Sequence, residues 1–122
     1  MSKRVLCVDD SASIRQMIAF TLESAGYEAS TAVDGADALR TLETEGFNLI
    51  ITDLNMPNLD GIAMIRQIRA QPKHAGVPIV MLTTESDETK KAEGRSAGAT
   101  GWIVKPFDQT KLVAVVNKLI GA

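Results

Sequence analysis

The sequence predicts an α/β fold, a doubly wound five-stranded parallel sheet of order 2-1-3-4-5 with helices on both faces. Two observations predict this architecture. Five short apolar runs alternate with segments whose apolar residues recur at helical spacing, and parallel strands need helical crossovers between them. In addition, acidic residues follow two of these runs, at Asp9 and Asp53, and the carboxyl ends of such strands form the edge where ligands bind.

The overall composition predicts a single soluble domain over residues 1–122. Apolar residues make up 45% of the chain and charged residues 23%, as in ordinary globular proteins. A net charge of −2 offers no basic surface for nucleic acid, and no apolar run approaches the roughly 20 residues that span a bilayer. The start of the chain lacks the apolar segment of a secretory signal. We therefore expect a cytoplasmic protein that binds neither nucleic acid nor membranes.

The first half of the chain contains three strands and two helices. The strand segments are residues 4–8, 27–33 and 49–51. The first helix has Ser11 or Ser13 as its N-cap, and Gly26 lies in the C′ position at its end. A turn at Asp34-Gly35 precedes the second helix. Cys7 lies in the first strand, and we expect it to be a small buried hydrophobe without a chemical role.

The second half alternates helix and strand. A helix is predicted from Asp60-Gly61 onward and a strand at 77–82. A weak helix at 87–97, a strand at 102–104 and a final helix capped by Asp108 or Thr110 follow. The segment 87–97 has few large apolar side chains and an internal Gly94, so a helix there should be only loosely docked. His74 lies in a loop between two prolines, and we expect it to be solvated.

Four of the strand ends carry residues that suit phosphoryl chemistry. Asp9 and Asp10 follow the first strand, Asp53 the third, Thr83 the fourth and Lys105 the fifth. In the predicted strand order all of these ends meet at one edge. Clustered carboxylates repel one another, and a hard divalent cation such as Mg²⁺, which prefers oxygen ligands, relieves the repulsion. Such a cation beside an acidic nucleophile and a lysine forms a site for accepting a phosphoryl group, with Asp53 as the nucleophile.

These residues make the chain resemble, over essentially its whole length, the receiver domains of two-component response regulators. The residues that carry the resemblance are Asp9-Asp10, Asp53 with Met56-Pro57 and Asp60-Gly61, Thr83, and Lys105-Pro106-Phe107. The combination is highly specific to that family. We expect no appended output domain, which makes the chain similar to the stand-alone CheY-like regulators of chemotaxis, which have a flavodoxin-like fold.

The resemblance implies a set of roles at the acidic edge. Asp53 is phosphorylated to an acyl phosphate by transfer from a phosphohistidine on a sensor kinase. The side chains of Asp10 and Asp53 and the backbone carbonyl of Asn55 ligate Mg²⁺, for which Mn²⁺ can substitute, and Asp9 acts mostly through water. Lys105 pairs first with Asp53 and then with the phosphoryl group.

Further roles concern the response to phosphorylation. The resemblance implies that Thr83 hydrogen-bonds a phosphoryl oxygen and that the aromatic ring of Trp102 rotates inward into the space that Thr83 leaves. The Lys105–Pro106 peptide bond is expected to be cis. Asn55 and Glu85 match residues of fast-hydrolysing chemotaxis regulators at the two positions that control water access, so we predict a short-lived phosphoryl state.

The resemblance also implies the partners. These are a sensor histidine kinase of the chemotaxis type, a flagellar motor switch protein or another downstream target, and a phosphatase. The protein is expected to be a monomer that phosphorylates and dephosphorylates itself without being a turnover enzyme, and that signals through the surface formed by the segment 87–97, the last strand and the last helix. The alternative is a stand-alone receiver that acts as a phosphate sink, a relay or a kinase regulator and does not bind the motor.

Three other classes of protein fit the sequence less well. Phosphohydrolases with an aspartyl-phosphate intermediate have a second Asp two residues after the nucleophile, which acts as a general acid or base. In this chain that position is Asn55, which cannot transfer protons. A flavodoxin-like electron carrier would need to bind a phosphate where Asp9-Asp10 would repel it, and the aromatic content is only 4%. A phosphorelay histidine role fails because the only histidine, His74, lies in a loop.

Overall fold

The computed structural model describes residues 3–84 and 88–121 and has the predicted five-stranded sheet. The strands are β1 (Arg4–Val8), β2 (Glu28–Ala32), β3 (Leu49–Asp53), β4 (Ile79–Thr84) and β5 (Gly101–Lys105). Every neighbouring pair is parallel, and the order is β2-β1-β3-β4-β5. The predicted fold class is therefore confirmed.

Five α-helices connect or follow these strands. They are α1 (Ala12–Ser24), α2 (Gly35–Thr44), α3 (Gly61–Arg69), α4 (Glu88–Ala97) and α5 (Gln109–Ile120). A side-chain oxygen caps the first turn of four of them, contributed by Ser11, Asp34, Asp60 and Asp108. The structure thus selects Ser11 over Ser13 and Asp108 over Thr110. Asp34-Gly35, predicted as a turn, is the start of α2.

The helices cover both faces of the sheet and enclose a hydrophobic core on each. On one face, buried side chains of α2, α3 and α4 pack on alternate residues of the strands, including Leu6, Ile50 and Met81. On the other face, α1 and α5 pack on Cys7, Ile51 and the remaining inward residues. Because helices cover both faces, the central strands are buried at nearly every position, and their polar residues lie mainly at the carboxyl ends.

Strand register places the chemistry-bearing residues at a single edge of the sheet. Val8 at the end of β1 pairs with Thr52, the residue before Asp53, and Asp53 pairs with Leu82, the residue before Thr83. Thr84 pairs with Lys105 at the end of β5. In consequence the residues that follow β1 and those that end β3, β4 and β5 surround one site at the carboxyl edge.

The prediction for His74 is wrong. Its side chain is buried, with 5% exposure, and the residue ends a short 3-10 helix at Pro72–His74 where a loop was expected. The ring Nε2 lies 2.9 Å from the carbonyl oxygen of Leu42 near the end of α2, so the buried polar atom has a partner. His74 therefore ties the connection between α3 and β4 to a neighbouring helix, a long-range contact without a local sequence signal.

The prediction for Cys7 agrees with the structure. The side chain is fully buried in β1, and burial is the main reason that the pKa of the thiol rises to about 12, with the nearby carboxylate of Asp9 adding to it. Such a thiol is not a nucleophile at neutral pH. Within residues 3–84 and 88–121, no helix is both long and apolar enough to cross a membrane.

Candidate functional site

Three carboxylates meet at the carboxyl edge of the sheet. One oxygen each from Asp9, Asp10 and Asp53 can be chosen so that all three lie within 4.8 Å of one another. Asp9 and Asp53 are buried, at 1% and 9% exposure, whereas Asp10 is open to solvent. The doubly wound sheet causes this convergence, because β1 and β3 are neighbours on either side of the point where the strand order reverses.

Lys105 supplies the positive charge of the cluster. Its Nζ donates a hydrogen bond of 3.1 Å to Asp53 Oδ1 and lies 3.9 Å from Asp9 Oδ2. Asp53 Oδ1 also accepts a hydrogen bond of 2.9 Å from the backbone N–H of Leu54. One oxygen of Asp53 is thus held by two donors, which orients its carboxylate in the site.

The carboxylate of Asp9 is only partly satisfied. Its Oδ1 accepts a hydrogen bond of 2.8 Å from the backbone N–H of Ser11, whereas Oδ2 is buried without a hydrogen-bond partner among the residues that the structure describes. Burial raises the pKa of Asp9, and the negative charges of Asp53 and Asp10 raise it further, while the Ser11 N–H and Lys105 act in the opposite direction. A bound cation would supply the missing partner of Oδ2, directly or through a water molecule.

Thr83 is the second buried polar group without a partner. Its side chain is 2% exposed, and within 3–84 and 88–121 no atom hydrogen-bonds its Oγ1. A buried hydroxyl without a partner costs free energy, so its retention at the end of β4 calls for an explanation. An acceptor that arrives at the site, such as a phosphoryl oxygen, would satisfy it.

Trp102 and Asn55, for which the resemblance implies roles, both lie in the part of the chain that the structure describes. The ring of Trp102, on the edge strand β5, is partly buried and lies beneath two cations of α4, with Arg95 Cζ at 4.7 Å and Lys91 Nζ at 5.6 Å from ring centroids. The inward rotation of Trp102 stays a prediction. Asn55 lies exposed in the loop between β3 and α3.

The Lys105–Pro106 peptide bond is cis, as expected. Glu85, predicted to control hydrolysis, lies outside the described residues. Its role therefore stays a prediction.

Sequence reasoning missed residues that hold the site without bearing its chemistry. Arg15 on α1 donates a hydrogen bond of 2.6 Å to the backbone carbonyl of Asp9. Asn58 donates one of 2.6 Å to Asp34, and thereby ties the loop after Asp53 to α2. The positive φ of Asn58, 69°, is typical of a turn asparagine, but nothing in the sequence identifies its partner.

Comparison with known proteins agrees with this geometry. Residues 5–117 match the response regulator receiver domain family. The chemotaxis response regulator CheY4 of Vibrio cholerae is 45% identical, and the superposition covers 98% of this chain and 100% of that one with a TM-score of 0.93. The receiver domain of the sensor histidine kinase PA1611 from Pseudomonas aeruginosa PAO1, described with a magnesium ion coordinated in its active site cleft, is 30% identical over the whole of both chains with a TM-score of 0.91.

Curated relatives include longer proteins. The alkaline phosphatase synthesis transcriptional regulatory protein PhoP of Bacillus subtilis is 39% identical over 98% of this chain, which spans 49% of that relative. The chain thus spans about half the length of the curated relatives that it matches. The family match over residues 5–117 and the identity to these relatives both show the family of the chain. It belongs to the receiver domains of two-component response regulators, which act as phosphoacceptor switches.

Proposed function

We propose that Asp53 accepts a phosphoryl group from a phosphohistidine of a sensor histidine kinase. The observation that carries the proposal is the Asp53 carboxylate, which is 9% exposed, lies within 4.8 Å of oxygens of two other acids and is held 3.1 Å from Lys105. An Asp53 oxygen attacks the phosphorus atom, the new O–P bond forms as the P–N bond breaks, and the imidazole nitrogen keeps the electron pair. The product is an acyl phosphate, and Lys105 balances charge on the transferred group.

The donor set fits Mg²⁺, the ion that receiver domains bind at an acidic pocket. The carboxylates are hard oxygen ligands, and the orphaned Oδ2 of Asp9 needs a partner. The side chains of Asp10 and Asp53 and the carbonyl of Asn55 would hold the ion, with Asp9 acting through water, and Mn²⁺ can take its place. When bound, the ion neutralises charge on the carboxylates and on the incoming phosphoryl group.

Two groups on β4 and β5 would carry the change from the site to the surface. The unpartnered hydroxyl of Thr83 donates to a phosphoryl oxygen, which removes the cost of its burial. As Thr83 moves towards the phosphoryl group, it leaves space into which the ring of Trp102 rotates. The ring thereby loses its contacts with the cations of α4. The surface of α4, β5 and α5 then changes, and downstream targets read that change.

The phosphoryl state is proposed to be short-lived, because Asn55 and Glu85 leave room for a water molecule to attack the acyl phosphate. The protein thus catalyses its own phosphorylation and dephosphorylation and is not a turnover enzyme. A lifetime of hours for the wild type, with no change on replacing Asn55, would contradict this part of the proposal.

The pathway that we propose is chemotaxis, with a monomeric cytoplasmic protein that binds the flagellar motor switch when phosphorylated. Likeness to CheY4 over the whole of that chain supports this choice. The alternative is a phosphate sink, relay or kinase regulator. Co-purification with a motor switch protein only in the presence of a phosphate mimic would support the chemotaxis function. Phosphoryl uptake without such binding would support the role of a sink, relay or kinase regulator.

Intact-mass measurement tests the acceptor directly. The wild type is incubated with Mg²⁺ and a small phosphodonor beside Asp53→Asn, which preserves the side-chain shape and removes the nucleophilic oxygen. We expect the mass of one phosphoryl group on the wild type alone, and none when the metal is chelated. An equal gain in both proteins would show that another residue is the acceptor.

A further inference from the structure

The loop between β3 and α3 is fastened to the beginning of α2 by a shared carboxylate. Asp34 Oδ1 accepts the backbone N–H of Asp37 at 2.8 Å, which caps α2, while Oδ2 accepts the side-chain amide of Asn58 at 2.6 Å. Asp34 is buried, with 7% exposure. Because the acceptor is an ionised carboxylate, the bond to Asn58 is stronger than one between neutral groups.

Backbone contacts close the same junction. The N–H of Gly35 donates to the carbonyl of Leu59 at 3.2 Å, and a Cβ on Gly35 would lie only 2.6 Å from that oxygen. Asn58 has a left-handed backbone, with φ of 69°, and the next residue donates back to the carbonyl of Pro57 at 2.8 Å. The loop therefore contacts the start of α2 through its backbone as well as a side chain, with Asn58 at the bend.

Asn55 lies between this fastening point and Asp53. At the other end of the loop, the N–H of Gly61 donates to the carbonyl of Leu54 at 2.9 Å. The direction of a backbone carbonyl is set by the ψ of its own residue and the φ of the next, so it depends on the local conformation of the loop. Contacts that hold the loop at Asn58 and Gly61 therefore restrict the conformations open to Asn55 and its carbonyl.

We propose that Asp34 and Asn58 are positioning residues for the divalent cation, which hold the loop so that the Asn55 carbonyl is oriented for binding before the ion arrives. The inference rests on the proposed function, in which that carbonyl is a ligand. Mg²⁺ demands nearly ideal octahedral geometry, so a loop that must first be ordered lowers its affinity. Neither residue bears chemistry, and both act through Asn55.

Two variants separate the hydrogen bond between Asp34 and Asn58 from the other roles of these residues. Asp34→Ser keeps a hydroxyl that can cap α2 but lacks the second oxygen that reaches Asn58. Asn58→Gly removes the amide and still permits the left-handed backbone. Ile120→Val, a conservative core change in α5 on the other face of the sheet, is the control for lost stability alone.

Ion affinity is measured with Mn²⁺ by electron paramagnetic resonance, in which the free ion gives the signal, and Mg²⁺ is then added as a competitor. Loss of one hydrogen bond predicts affinity about threefold to tenfold weaker in each variant. The double variant should be no weaker than either single one, because both remove the same contact. The Ile120→Val control should bind like the wild type.

A second readout is the dependence of phosphoryl uptake on Mg²⁺ concentration, followed by intact mass with a small phosphodonor. Both variants should need more Mg²⁺ for half-maximal rate and reach a rate near that of the wild type at saturation. Wild-type affinity in both variants, with lowered stability in urea, would show that the contact is only structural. A wild type that binds neither ion would overturn the proposed function itself, and this inference with it.

Discussion

The two flanks of the acidic site are built in different ways. On the flank towards α2, the loop after Asp53 is held by backbone hydrogen bonds and by the carboxylate of Asp34. On the flank towards β5, α4 buries only Gly94 and Ala97 among its residues, and its long cations lie on the ring of Trp102. Movement of the first flank would break several hydrogen bonds, whereas α4 on the second flank buries little apolar surface that would resist a shift.

This difference matches the role that the proposed function gives to each flank. Metal binding needs fixed geometry, and the proposed function places the Asn55 carbonyl, a ligand of the ion, on the fastened flank. A switch needs two arrangements that differ by a few kcal/mol, which a small apolar contact and cation–π contacts permit. One substitution made on both flanks tests the contrast, and further variants sharpen it.

The largest effect is expected from Gly61→Ala on the fastened flank. The added Cβ would lie 2.3 Å from the carbonyl oxygen of Asp53 and 3.0 Å from the Cα of Leu54, so the backbone itself must shift. We expect the free energy of unfolding, measured by urea denaturation, to fall by about 3 kcal/mol. Gly46→Ala is the control, because nothing lies within 4 Å of its added Cβ. A loss no larger than that of the control would show that this flank yields easily.

The same substitution on the other flank, Gly94→Ala, should cost less. Here the added Cβ would meet a side chain, with Met81 Sδ at 1.9 Å and Cε at 2.6 Å, and both the thioether and α4 can move. The gain of about 1 kcal/mol in helix propensity offsets part of the clash, so we expect a net loss below about 1 kcal/mol.

The fluorescence of Trp102 can detect the shift of α4 that we expect in Gly94→Ala. Trp102 is the only tryptophan of the chain, so its fluorescence emission should change in Gly94→Ala while that of Gly61→Ala in the native state does not. A loss in Gly94→Ala as large as that in Gly61→Ala would end the contrast between the flanks.

Sequence reasoning predicted the sheet and the acidic cluster for the same reason. The strands are short apolar runs, and Asp9, Asp53, Thr83 and Lys105 follow or end them, so that strand order alone brings them together. Local pattern sufficed because the site lies at the ends of regular elements.

The contacts that fasten or loosen the site could not be predicted in this way. The bond between Asn58 and Asp34 joins two loops 24 positions apart, and the contact of His74 with Leu42 spans 32. No periodicity marks such pairs, since each depends on how helices settle on the sheet. The stacking of Arg95 on Trp102 likewise depends on the depth to which α4 docks, which its poor apolar pattern leaves open.

A smaller effect is expected from Arg95→Met, which keeps an unbranched, though shorter, side chain and removes the charge from the ring of Trp102. The lost cation–π contact should lower the free energy of unfolding by about 0.5–1 kcal/mol. If Trp102 leaves this position in the phosphorylated form, the contact stabilises the resting form. Phosphorylation by a small donor should then become about twofold to fivefold faster.

The control for this variant is Lys118→Met, which makes the same charge change on an exposed face of α5. Its stability and phosphorylation rate should match those of the wild type. Faster phosphorylation in Lys118→Met would attribute the effect to net charge, and an unchanged rate in Arg95→Met would separate the stacking from the switch.

The smallest effect is expected for the pH dependence of stability that Asp34 contributes on the fastened flank. The N–H of Asp37 and then the amide of Asn58 lower the pKa of Asp34 below its usual value. The folded protein therefore keeps Asp34 ionised at a pH where the unfolded chain, with a pKa of about 3.9, already binds a proton. The stabilisation is fully present above that unfolded pKa and is lost as the pH falls through the lower folded value.

Asp34→Asn isolates this contribution from the other carboxylates that titrate in the same range. Urea unfolding of both proteins between pH 7 and pH 3 should show the wild type more stable at neutral pH and the gap closing below about pH 4. The gap closes because the protonated carboxyl, like the amide, lacks the charge that strengthens the two hydrogen bonds. A gap that stays constant over the whole range would mean that the charge of Asp34 does not fasten the loop, and that shape alone holds this flank.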